Sequence, residues 1–194
     1  MILTADEVSR SIAGSLKLLN RNEEGLQAFE VSIPAFWRSF AAILLTAPAF
    51  VAALAEVRVE RGLPTDAGLF SSPGLVLHEA ALFLAGWIAF PLAMIAIVRG
   101  LGLGHRYVGY IITWNWSAVV AATILAVPAA MHALGLATSG LSLLFGIAFG
   151  IIIAQYRWFL AKAALGVSGG LAALLVLLDA GIAGTVSALL SPLI

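Results

Sequence analysis

Five polar side chains interrupt stretches that are otherwise apolar: the adjacent His78 and Glu79, Asn115 between Trp114 and Trp116, His132, and Asp179 behind Leu174, Leu175, Val176, Leu177 and Leu178. Acids and imidazoles inside apolar helices mark ion or proton paths, or else they are held by hydrogen bonds to a neighbouring helix. Under the topology derived below, His78, Glu79, His132 and Asp179 all fall near the midplane or in the outer half, which makes them candidates for a proton or cation site. The competing reading treats Asp179 as a neutral acid donating a hydrogen bond, with Asn115 or a backbone carbonyl among the acceptors. Asp179 lies about 20 Å beyond Gly166 at 1.5 Å per residue. Arg157 and Lys162 belong to the inner end of the last helix pair, so neither is expected to reach it.

Other chemistry finds little support. The chain has no cysteine, so disulfides, thiolate zinc sites and Cys-held clusters are excluded. No nucleophile–base pair, P-loop, His-Glu-x-x-His helix or paired Asp-rich motif occurs. Gly100, Gly102 and Gly104 have the wrong spacing for a phosphate loop and follow no strand. No enzyme activity, cofactor or catalytic residue is therefore expected, and no metal-ligand set is assigned, because His78, His105 and His132 need carboxylates to complete one.

The elements that position these residues follow from composition. Of 194 residues 62% are hydrophobic and 10% charged, with no net charge and a mean hydropathy of +1.06. Soluble domains carry about 25% charged residues. The apolar runs are long enough for a hydrocarbon core of about 30 Å, which takes roughly 20 helical residues. The fold class is an all-α polytopic membrane bundle of five transmembrane helices with an amino-terminal amphipathic helix. The expected spans are 33–55, 73–98, 107–133, 141–156 and 164–190, within a bundle covering 33–191, after a helix and linker over 1–32. Pro48, Pro91 and Pro128 are candidate kinks. Residues 56 to 72 read as a hydrophilic loop, and the run from Tyr156 to Lys162 as a connector.

The amino-terminal helix has a marked start, because Thr4 followed by Glu7 fits a capping box. Val8, Ile12, Leu16 and Leu19 recur at helical spacing and form its expected docking face. It lies on the membrane, on a partner, or folded back on the protein's own inner face. The first 30 residues lack the basic start and apolar core of a cleavable signal peptide. With that end in the cytoplasm, Arg10, Lys17, Arg21, Arg38, Arg99, Arg106, Arg157 and Lys162 lie inside and only Arg58 and Arg61 outside. Such a bias favours a cytoplasmic amino terminus, a periplasmic carboxyl terminus and an inner-membrane location.

Ser142, Gly146, Gly150 and Ala154 recur every fourth residue and stack on one helix face, and Gly166 and Gly170 repeat the device. Small residues in this pattern let another helix come close. A polar amino terminus, five closely spaced spans, a short exoplasmic tail and these glycines together resemble the Yip family of Ypt-interacting membrane proteins. The resemblance implies a non-enzymatic membrane organiser that binds proteins or lipids, and it carries over no binding residue. Residues 14–20 and 156–160 also look like small bacterial inner-membrane proteins. The expected role is a scaffold, accessory subunit or organiser, in contact with membrane lipids and with a membrane-protein partner or a second copy, and without nucleic acid. The alternative is a small proton- or cation-coupled transporter or channel using Asp179 and Glu79.

Overall fold

The computed structural model describes residues 3–64 and 67–190; the expected end of the bundle at 191 lies outside them. Most of the described residues are helical, with α-helices in the order α1 (Ala5–Leu19), α2 (Ile33–Ser39), α3 (Ala47–Glu60), α4 (Pro73–Gly100), α5 (Tyr107–Ala133), α6 (Ser139–Leu165) and α7 (Gly169–Leu190). Segments Ile33–Glu60, Pro73–Gly100, Gly104–Ala133, Ser139–Leu165 and Gly169–Leu190 are each long and apolar enough to cross a membrane. The chain is an integral, multi-pass, all-α membrane protein. In lipid a helix satisfies its own backbone polar groups, which is why apolar segments of this length fold this way.

The centre of the bundle is α5. Every residue from 110 to 121 on it is buried, on all faces of the helix. It packs against α6, against α3 over its second half and against α1 and α2 over its first, while α4 and α7 pack on each other beside it. The first span runs parallel to α5, since Ser39 meets Asn115 and Glu56 meets His132. The outermost helix, α7, buries only Ala172 and Leu175. Leu174, Leu177 and Leu189 on α7 are exposed, as side chains facing lipid should be.

Four expectations are corrected. The first span is not one kinked helix: a 3-10 stretch, Phe40–Thr46, divides α2 from α3. Pro48 sits in the first turn of α3, where a missing N–H costs nothing. Residues 56–60 are helical rather than loop. The fourth span does not end at 156 but continues to Leu165, where Gly166 closes it at φ +63°, the left-handed cap that glycine adopts without a Cβ penalty. The connector is therefore three residues long, and the fifth helix begins at Gly169 rather than 164. The other boundaries agree to within two residues at most of the helix ends.

The amino-terminal helix folds back on the bundle. Thr4 caps it by accepting from the Glu7 amide at 3.2 Å. The Glu7 carboxylate does not complete a capping box; it accepts Arg38 Nε at 2.8 Å, and Arg38 Nη2 reaches Glu30 at 3.1 Å. Arg38 thus ties two segments together instead of snorkelling to headgroups. The buried face is Glu7, Ser11, Gly14, Ser15 and Leu18, rotated from the expected one. Val8, Ile12 and Leu19 flank this contact, and Leu16 is 44% exposed. Small residues win the contact because they admit close backbone approach: Tyr156 Oη donates to the Ser15 carbonyl at 2.8 Å.

Candidate functional site

A crevice opens between α4, α5, α6 and α7. It has a volume of about 520 Å3, and small residues, among them Gly86, Ala118, Ala122, Gly150, Ala154 and Ala183, alternate along it with aromatic and aliphatic ones. A Cβ added at Gly86 or Gly150 would meet nothing within 4 Å. Polar atoms enter at one place, where Arg157 Nη1 lies 3.0 Å from Asp179 Oδ2 with both side chains about four-fifths buried. The Arg157 guanidinium also stands 4.6 Å from the centroid of Trp114. Trp114 in turn stacks on Phe90 at 5.1 Å and meets Trp87 edge-on at 5.9 Å. Guanidinium over indole is a favourable cation–π arrangement, more so when desolvated. The Trp114 N–H lies within polar reach of Asp179 but makes no well-formed hydrogen bond.

This pairing overturns two expectations. Arg157 does reach Asp179, because α6 continues past it: Arg157 is some nine residues from one helix end and Asp179 some ten from the other, so both lie about 15 Å into the bundle. Asn115 is not the acceptor for Asp179. It is fully buried and donates from Nδ2 to Ser39 Oγ at 2.8 Å.

The remaining candidates separate. Glu79 faces Arg61 Nη2 at 3.6 Å, near the far end of the bundle. His78 is half-buried beside it on α4 and joins neither cluster. His132 lies at the end of α5, with Nδ1 3.4 Å from Glu56 Oε1 and Nε2 3.2 Å from Ser139 Oγ. The structure therefore does not bring His78, Glu79, His132 and Asp179 together in one site.

The small-residue stripe also divides. Ser142 is buried and donates to Glu56 Oε1 at 2.7 Å, whereas Gly146 and Gly150 have open Cβ positions and so meet no helix of this chain closely. Ala154 is exposed along the crevice. Gly170 is likewise open, and Gly166 serves as the helix cap against the Arg106 guanidinium rather than as a packing position.

Sequence reasoning missed Arg157, Glu56 and Glu60. Tyr156, Phe159 and Leu160 continue the helical spacing of α6 up to a capping Gly166, which marks Arg157 as a helix residue. Glu56 and Glu60 stand four apart, one helical turn, at the end of a span.

No protein-family model, curated protein or solved structure matches the chain.

Proposed function

We propose that this protein is a non-enzymatic membrane organiser, a scaffold or accessory subunit, that receives a second membrane helix into the crevice between α4, α5, α6 and α7. The observation that carries this reading is the small-residue wall, with Gly86 and Gly150 open to the crevice. Helix association in lipid depends on close backbone approach, and the internal packing leaves this surface unused. The Arg157–Asp179 pair and the Trp114 N–H supply a polar anchor for one hydrogen-bonding group on the incoming helix. The resemblance to the Yip family, five spans behind a folded amino-terminal segment, fits the same role and forms part of the proposal.

Transport is the weaker reading. Asp179 and Glu79 each face an arginine already, so an arriving proton or cation has to compete with a guanidinium. The basic residues favour a cytoplasmic amino terminus in an inner membrane. Reporter fusions after Ala67 and Arg106 test this: an outer signal at Ala67 and an inner one at Arg106 are expected.

Co-purification in mild detergent, read by native mass spectrometry, tests the role. A stoichiometric protein partner or second copy is expected, and Gly150→Leu should remove it while leaving the thermal stability of the isolated chain unchanged. Absence of any partner, together with proton-linked solute flux in liposomes, would favour transport.

A further inference from the structure

At the end of the bundle far from α1, Glu56 and Glu60 on α3 and His132 on α5 present one ligand atom each, all within 4.8 Å of one another. The two carboxylates share a helix face because they are one turn apart, and the parallel run of the first span beside α5 brings the imidazole to the same level. His132 is 6% exposed, and its Nδ1 has no hydrogen-bond partner although it stands 3.4 Å from Glu56 Oε1. Its other nitrogen, Nε2, is engaged at 3.2 Å by Ser139 Oγ. When Nε2–H donates to that hydroxyl, Nδ1 carries a lone pair directed at the two carboxylates. An imidazole oriented through one nitrogen and free at the other is the usual setting of a metal-bound histidine. Ser142 Oγ holds Glu56 Oε1 at 2.7 Å, which fixes the first carboxylate in the same way.

We propose that Glu56, Glu60 and His132 form a binding site for a divalent first-row transition ion, zinc or manganese in class. One nitrogen and two carboxylate oxygens suit those ions better than magnesium, which prefers an all-oxygen octahedron with several waters. The two carboxylates balance the charge of a dication. Tetrahedral ligands about 2.0–2.2 Å from zinc are about 3.4 Å apart, so rotation of the exposed Glu60 side chain closes the set. A cleft of about 310 Å3 lined by Glu56, Glu60, Ser139, Ser142 and Gly146 gives an ion a route from outside. The ion would clamp the end of the first span to α5 and leave a coordination position open.

The test uses the full chain in detergent, freed of metal by chelation and of any affinity tag. Calorimetric titration with Zn2+ or Mn2+ should give one saturable site per chain, and Co2+ should give a visible ligand-field band. Glu60→Gln and His132→Gln each remove a direct ligand and should weaken binding by at least the roughly 10- to 100-fold that loss of an outer-shell partner costs, with Glu79→Gln unchanged. No saturable binding, unchanged affinity in Glu60→Gln, or an equal loss in Glu79→Gln overturns the proposal. Because Glu60 is exposed, its variant decides the matter even if His132→Gln does not fold.

Discussion

Arg157 on α6 and Asp179 on α7 meet at 3.0 Å on a crevice whose remaining walls are almost entirely apolar. Two charges so placed depend on each other, because neither has water to fall back on. Removing one leaves the other uncompensated, which is the costly way to break a buried pair. Arg157→Leu and Asp179→Leu are each expected to cost about 3 to 5 kcal/mol, and the double variant to recover most of that loss. Thermal unfolding of the four proteins in one detergent measures the coupling; additive losses would show that the pair is not coupled.

The amino-terminal helix depends on glycine at its contact with a 3-10 turn over Glu23–Ala28. A Cβ on Gly14 would lie 2.5 Å from Ala28 Cβ and 2.8 Å from the Gly25 carbonyl oxygen, both too close. Gly14→Val should therefore lift α1 from the bundle and speed tryptic cleavage at Arg10 and Lys17. Leu16→Ser, on the exposed side, should leave cleavage unchanged. Equal cleavage of the two variants would return the docking face to the Val8, Ile12, Leu16, Leu19 stripe.

Acid should loosen the same segment. The Ser32 hydroxyl, which donates to Glu30 at 2.6 Å, and then the charge of Arg38 hold the Glu30 carboxyl below its ordinary value of 4.5. A group whose folded value is depressed contributes stability above its unfolded value, and loses it as pH falls through the folded one. Protease resistance of residues 5–30 should hold at neutral pH and fall once the pH drops below the ordinary carboxylate range. Glu30→Gln should flatten that part of the profile, and an unaltered acid limb in the variant would assign it to other groups.

The helices themselves were legible because length, caps and breakers are local signals. Thr4, Ser32 and Thr138 each cap the helix that follows through the side-chain oxygen. Which helix lies at the centre was not legible: a span that is apolar on every side carries no periodicity to say which face meets protein and which meets lipid. The sequence of α5 therefore does not announce that its first half is buried all round. The place of Arg157 is obscured for a different reason. Charges near Trp158 and Lys162 suggest a connector, and only the left-handed Gly166 beyond them shows that the helix had not yet ended. The Glu56, Glu60 and His132 cluster stayed hidden because its register depends on the parallel packing of the first span on α5, a tertiary fact.

The buried amide of Asn115 offers the sharpest test of that packing. Its Nδ2 donates to Ser39 Oγ at 2.8 Å, while its Oδ1 has no partner. The Ser39 hydroxyl donates in turn to the Phe36 carbonyl at 2.7 Å, near the point where α2 gives way to the 3-10 stretch. The two ends of this bond are therefore unequal. Ser39→Ala strands the whole amide without a partner, at about 1 to 3 kcal/mol for a buried polar group. Asn115→Leu is close in size, removes the unpaired oxygen as well, and leaves Ser39 still bonded to Phe36. Its cost should be smaller, in line with the modest worth of hydrogen bonds between helices in lipid, about 0.6 kcal/mol on average. Combining the two should be no worse than Ser39→Ala alone, since the stranded amide is gone. Thermal unfolding of the single and double variants gives the order, and a larger loss for Asn115→Leu than for Ser39→Ala would mean that the amide matters for something other than this bond.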